Sequence, residues 1–168
     1  IMTIEAFRNS IRVCMALGAS TNAVIHLTAI AGRLNIRLFP EEFDKIGSEI
    51  PCIANVQPSG RGLIDEFDLA GGIPGVLKQL GAIIDLSLRT YTGNKLEDLL
   101  KQDIVADQEM IRPLNNPVSR PPTLAVLKGN LAPRGALIKV SAADKQLLVH
   151  TGKAVVFDGY TDMLRRID

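Results

Sequence analysis

Tryptophan is absent from this 168-residue chain, and aromatic residues make up only 4% of it, so any core must be mainly aliphatic. Cysteine is equally scarce. Cys14 and Cys52 are too few for a disulfide scaffold, and their separation matches no metal-ligand spacing. Cys14 lies among Ile11, Val13, Met15 and Leu17, and Cys52 between Pro51 and Ile53, so both read as small buried hydrophobes. Two unpaired thiols suit a reducing cytoplasm. A surplus of one charge is missing too: 19 basic and 18 acidic residues leave a net charge of +1. That provides no field for nucleic acid or a membrane surface. No apolar run approaches the ~20 residues that span a bilayer. Ile1-Met2-Thr3-Ile4-Glu5 has neither the basic flank nor the cleavage site of a signal peptide. Both ends run close to helical patterns and look like cuts in a longer protein.

What is present is ordinary for a chain that buries a core: 46% hydrophobic and 22% charged residues, enough for one domain or two small halves. Ile4, Phe7, Ile11 and Met15 recur at helical spacing after Thr3, a good cap, and Gly18 interrupts the pattern. A second helix is expected from Ser20 or Thr21 to about Leu34. It is apolar nearly all round, which predicts burial between other elements. Pro40-Glu41-Glu42 opens a third, since Pro fits a first turn and acids suit the positive end of the helix dipole. Short strands are expected at Cys52 to Val56 and Leu86 to Tyr91, with helices at Leu63 to Ala70, Ile73 to Leu80 and Lys95 to Lys101. Alternation of this kind indicates an α/β layer structure.

The texture changes after Met110. Pro113, Pro117, Pro121 and Pro122 crowd a span that cannot be helix and reads as a linker. Leu124 to Leu127, Ala136 to Val140 and Ala154 to Phe157 then look like short strands between turns, and Tyr160 to Ile167 like a helix. The expected organisation is an α/β part over residues 1–112, a linker over 113–122 and a mainly β part over 123–168.

Gly18-Ala19-Ser20-Thr21-Asn22-Ala23 is the most informative local feature. Free backbone N–H groups at a helix start, beside hydroxyl and amide side chains, form a potential site for a carboxylate or phosphate. Asn22, His26 and Arg33 would share the helix's polar side. The same residues are also the preferred caps of any helix. Pro58-Ser59-Gly60 ends a strand where open α/β sheets carry ligand loops, and Gly71-Gly72 permits a close backbone approach. Turns use these residues as well. Gly129-Asn130 suggests a tight turn between strands, with Lys139 pointing away from Ile138 and Val140. Neither glycine-rich nucleotide fingerprint is present, and no Ser-His-Asp order or histidine cluster stands out. These residues alone describe an α/β-plus-β fragment with an anion-binding helix start, or a non-catalytic anion-binding or assembly module.

Several segments, taken in order, resemble one family, that of dihydroxyacid dehydratase, phosphogluconate dehydratase and the aldonate dehydratases. Met15-Ala16-Leu17-Gly18-Ala19-Ser20-Thr21-Asn22-Ala23-Val24-Ile25-His26-Leu27 is similar to the family's "ALGGSTNAVLHL". Gln57-Pro58-Ser59-Gly60, Ala70-Gly71-Gly72-Ile73-Pro74 and Thr90-Tyr91-Thr92-Gly93 follow. Leu124 to Pro133 and Gly135-Ala136-Leu137-Ile138-Lys139 complete the series. Ser141-Ala142-Ala143, Leu148-Val149-His150, Gly152 to Phe157 and Asp162 to Asp168 look like the aldonate branch, whereas branched-chain members more often carry Thr-Ala-Gly after the matching Lys.

The resemblance implies a fold: the end of an α/β parallel-sheet domain, then the start of a β-barrel domain. It also implies a reaction. An iron–sulfur cluster acts as Lewis acid on the leaving 3-hydroxyl, Mg²⁺ holds the carboxylate and 2-hydroxyl, and a serine alkoxide takes the C2 proton, giving a 2-keto acid. The family's cluster cysteines and the Asp-Lys pair of its Mg²⁺ site lie outside this segment, and its glycine-flanked serine lies beyond Asp168. The expectation is therefore that this chain holds no catalytic residue and no metal ligand and is inactive alone. Ser20, Thr21, Asn22, Ser59 and Gly60 are expected near the active cleft. A sugar-acid or dihydroxyacid substrate and a homodimer or homotetramer are implied for the full-length protein, in the cytoplasm.

Overall fold

The computed structural model of the chain describes residues 1–101 and 107–167. Asp168, the last residue of the aldonate-like tail, and residues 102–106 of the expected first part lie outside the described residues. Helix α1 runs over Ile4–Leu17. The Thr3 hydroxyl accepts from the Ala6 N–H at 3.3 Å and so caps the helix as its sequence suggests. At the other end Gly18 takes a left-handed φ of 65°, and the Ala19 N–H donates to the Cys14 carbonyl at 2.9 Å. The stripe Phe7, Ile11 and Met15 is buried and forms the spine of the core.

Helices α2 (Asn22–Arg33), α3 (Pro40–Gly47) and α5 (Gly72–Leu80) pack on α1. They contribute Val24 and Ala31, Phe43, and Val76 and Leu80 to the same cluster. Short α4 (Ile64–Leu69) contributes Phe67 and leads into α5 through Gly71 and Gly72, which have φ of 108° and 52°. The glycine pair makes this turn; a Cβ at Gly72 would have room. Asn9, a buried polar residue of α1, ties in a distant loop. Its Nδ2 donates to the Asp85 carbonyl and its Oδ1 accepts from the Asp85 N–H, each at 2.9 Å.

The segment from Cys52 to Val56 is extended but joins its neighbours by isolated bridges and not as a continuous strand. It crosses the end of α1, where the Ile53 and Ala54 N–H groups both donate to the Ala16 carbonyl at 2.8 and 3.1 Å. Residues 110–119 run beside it, pairing Cys52 with Ser119 and Ala54 with Ile111. Ile111 and Leu124 are fully buried in the helical core.

Strands β1 (Leu124–Leu127) and β2 (Ala136–Lys139) form an antiparallel pair in the register Leu124↔Lys139 to Leu127↔Ala136. Their connection is a longer loop, not the tight two-residue turn expected at Gly129-Asn130. Gly129 and Ala132 each open a turn of their own, accepting from the Ala132 and Gly135 N–H groups. β1 lies on α3, where the Val126 N–H donates to the Asp44 carboxylate at 2.9 Å and Lys128 pairs with Glu41. Helices α6 (Leu96–Leu99) and α7 (Tyr160–Arg166) are short.

Three further expectations differ. Leu86 to Tyr91 makes one bridge, Arg89 to Lys95, because the chain turns back there at Gly93. Ala154 to Phe157 is not a strand, since no described segment pairs with it and an isolated strand leaves its backbone groups without partners. Finally, α2 is not enclosed. Val24 and Ala31 are buried, but Ile25 is 62% exposed and Ile30 also faces outward, so the described elements cover only one side of it.

Candidate functional site

Four separate pieces of chain converge on an open cleft of about 590 Å³. One wall is the α1–α2 turn, Gly18 to Thr21; a second is Val56 to Pro58; α4 and α5 add Phe67 and Ile73; and β2 supplies Lys139. Gly18 makes the convergence possible. A Cβ there would stand 2.6 Å from Ser59 Oγ and 3.1 Å from Cys52 Sγ, and its φ of 65° is one that L side chains rarely adopt. Ser59 Oγ lies 3.5 Å from the Gly18 carbonyl, to which it donates, and 3.1 Å from Ser141 Oγ. Gly60 is needed for a different reason. A Cβ on it would fall 2.3 Å from the Asn55 carbonyl carbon and 2.6 Å from the Asn55 Cα. Asn55 also accepts from the Arg61 N–H and donates to the Glu109 carbonyl, which fastens the loop.

The expected residues therefore divide. Ser20 and Thr21 line the cleft, and Ser59 sits behind the Gly18 turn with its hydroxyl already engaged. Gly60 serves close packing. Asn22 is exposed and does not line the cleft, and His26 and Arg33, on the same polar stripe, also face outward. The helix start is not a set of free N–H groups as its sequence suggests. The Asn22 N–H donates to Ser20 Oγ at 3.3 Å, Ala23 to the Ser20 carbonyl at 2.9 Å and Val24 to the Thr21 carbonyl at 3.2 Å. Local turns satisfy these donors, so any anion chemistry here falls to side chains.

Lys139 and Ser141 are the residues that sequence reasoning left in the background. The β1–β2 register places Lys139 opposite Leu124, and directly opposed residues share a face. Leu124 is fully buried, so Lys139 faces inward. Ser141 lies in the short 3-10 turn Val140–Ala142 that follows β2, and its hydroxyl reaches Ser59 Oγ. The alternation of Lys139 with Ile138 and Val140 was the available signal; which face was inward depended on the partner strand. Burial in the cleft pulls the Lys139 ammonium below its usual value, opposed weakly by nearby Cys52.

Neither thiol suits metal or nucleophilic chemistry. Cys52 is fully buried and Cys14 half-buried, and burial pushes both above the ordinary thiol value. The reactive and metal-binding form is the thiolate, which such surroundings disfavour. Among the described residues no group of three or more His, Cys, Asp or Glu side chains is arranged to hold a metal ion. No described helix is long and apolar enough to cross a membrane.

Comparison with known sequences places the chain in a family. The sequence model of the dihydroxy-acid/6-phosphogluconate dehydratase N-terminal region matches residues 1–99, and that of the C-terminal region matches residues 109–168. An L-arabinonate dehydratase of Rhizobium leguminosarum is 44% identical over 100% of this chain and 29% of its own. A dihydroxy-acid dehydratase of Ignicoccus hospitalis is 47% identical over 99% of this chain and 31% of its own. An L-arabonate dehydratase of Azospirillum brasilense is 46% identical over 94% and 28%. The chain thus spans less than a third of these relatives' length. Matched over residues 1–99 and 109–168 by the two family regions in order, it belongs to the dihydroxy-acid/6-phosphogluconate dehydratase family.

Proposed function

We propose that the intact protein is a hydro-lyase that removes water from a 2,3-dihydroxy carboxylate, a sugar acid, to give a 2-keto-3-deoxy acid. The observation that carries this reading is the family match along the chain, with sugar-acid dehydratases among the relatives. A branched-chain dihydroxyacid substrate is the second reading, favoured by the 47% identity to the Ignicoccus dihydroxy-acid dehydratase. The iron–sulfur cluster and Mg²⁺ implied for the family do not fit the residues here. Burial disfavours the thiolate at both cysteines, which lie on separate elements, and among the described residues no three or more His, Cys, Asp or Glu side chains are arranged to hold a metal ion. The proposal therefore assigns those ligands, and the catalytic base, to parts of the protein beyond this segment. This segment's own contribution is the wall of a cleft: Gly18 seats the turn against Ser59, while Ser20, Thr21 and Lys139 present polar groups to it.

The proposal extends to architecture, with an α/β parallel-sheet domain continuing into a β-barrel domain across residues 113–122. That architecture rests on the family match; β1 and β2 themselves pair antiparallel. A homodimer or homotetramer in the cytoplasm completes the reading. The test is 2-keto acid formation by the full-length protein, purified without oxygen, from L-arabinonate and from 2,3-dihydroxyisovalerate. Faster turnover of arabinonate is expected; preference for the branched-chain acid selects the second reading; no keto acid from either, with iron and Mg²⁺ present, overturns both. The 168-residue chain alone is expected to turn over neither.

A further inference from the structure

The geometry points to Lys139 as the anchor for an oxyanion, a carboxylate or a phosphate ester, of a small hydroxylated ligand entering the cleft beside the α1–α2 turn. Three observations converge on it. The strand register turns Lys139 to the face of fully buried Leu124, away from the solvent side where a lysine costs nothing. Its ammonium makes no hydrogen bond or ion pair with any described residue. Every other residue lining the cleft is uncharged, so no described acid in its walls compensates it. A cation partly desolvated without a partner is unfavourable, and a convergent polar group in an otherwise apolar cleft is how small-ligand sites are built.

Two hydroxyls stand ready to share the anion. Ser20 Oγ accepts from the Asn22 N–H, which leaves its own O–H free to donate, and the Thr21 side chain makes no capping bond. Both line the same cleft as Lys139. Lysine suits this task as a point charge with three donors, without the planar geometry that arginine would impose. Bulk in the cleft wall comes from Phe67 and Ile73, which exclude water from one side of the bound group.

This inference shares with the dehydratase reading its choice of hydroxy-acid probes. The experiment is calorimetric titration of the intact parent protein with gluconate, 6-phosphogluconate and neutral sorbitol. Wild type is expected to bind at least one anion about 10-fold more tightly than sorbitol. Lys139→Met is expected to lose that preference without changing sorbitol affinity, and Lys139→Arg to keep it within about threefold. A gluconate gain that Lys139→Met loses assigns the carboxylate to Lys139, whereas one it keeps belongs to the Mg²⁺ implied for the family; a gain with 6-phosphogluconate alone that Lys139→Met loses assigns the phosphate. Anion affinity unchanged in Lys139→Met, or no anion preference in wild type, overturns the proposal. Should Lys139→Met not fold, acylation of wild-type lysines followed by peptide mapping decides: a bound anion must shield Lys139 where sorbitol does not, and an unshielded Lys139 rejects the site. The two readings fail separately. A protein that forms no keto acid yet needs Lys139 to bind the anion loses only its dehydratase assignment. Turnover with kcat and KM untouched by Lys139→Met loses only the subsite.

Discussion

The helical region around α1 and the region after β2 both carry many aliphatic side chains, yet only the first buries them. Phe7, Ile11, Met15, Phe43 and Val76 are closed off from solvent, whereas no described residue beyond Leu124 is buried and Val149 and Val156 are 92% and 75% exposed. The contrast comes from hydrogen bonding as much as from hydropathy. A helix satisfies its own backbone and needs only one face covered, and α1 finds α3, α5 and the Cys52 segment to cover it. An extended segment needs a partner strand before it can present a face at all. β1 and β2 have each other; the Ala154 to Phe157 stretch has no described partner.

Stability measurements on the intact protein can break this contrast. Phe43→Ala empties the centre of the helical core and is expected to cost about 3–5 kcal/mol, read as a lower denaturant midpoint of that region. Val155→Ser, on the exposed side, is expected to change it by less than ~0.5 kcal/mol. A cost at Val155 comparable to that at Phe43 would mean that this segment is covered in the whole protein by elements not described here. Asn9→Ala comes next. It removes both bonds to the Asp85 backbone, and each group left buried without a partner costs about 1–3 kcal/mol. Hydrogen exchange at the Asp85 amide should rise with it. Gly60→Ala forces a methyl against the Asn55 backbone, and overpacking of this kind costs about 1–3 kcal/mol. Unchanged stability in that variant would show that the loop yields easily.

The smallest expected effect is at the surface contact between α3 and the residue that follows β1. Lys128 holds the Glu41 carboxyl below its ordinary value, and both side chains are exposed. A depressed carboxylate contributes stability above its unfolded pKa and loses it as pH falls through the folded pKa, so this contact weakens only under acid. Lys128→Ala should let Glu41 titrate closer to an ordinary glutamate in an NMR pH series, with little change in midpoint at neutral pH. A Glu41 curve that does not move would remove the pair as a link between α3 and β1.

Much of the fold can be read from local pattern. Thr3, Gly18 and Pro40 mark helix ends where the structure has them, and the periodic stripe Ile4, Phe7, Ile11, Met15 lies on the core side of α1. Caps and spacing act over a few residues, so their physics is contained in the sequence. The site was less readable. Ser20 and Thr21 stood out and do line the cleft, but the turn consumes the N–H groups that made them conspicuous. Lys139 looked like one polar position in a short strand, and Ser141 carried no local signal of its own.

Family membership and the helix boundaries followed from the order of the residues, because motif and cap are properties of neighbours in sequence. The facing of Lys139 and the meeting of Ser59 with Gly18 and Ser141 arose only on folding. They depend on strand register and on close approach between segments as much as 82 residues apart, and no short stretch of sequence encodes either.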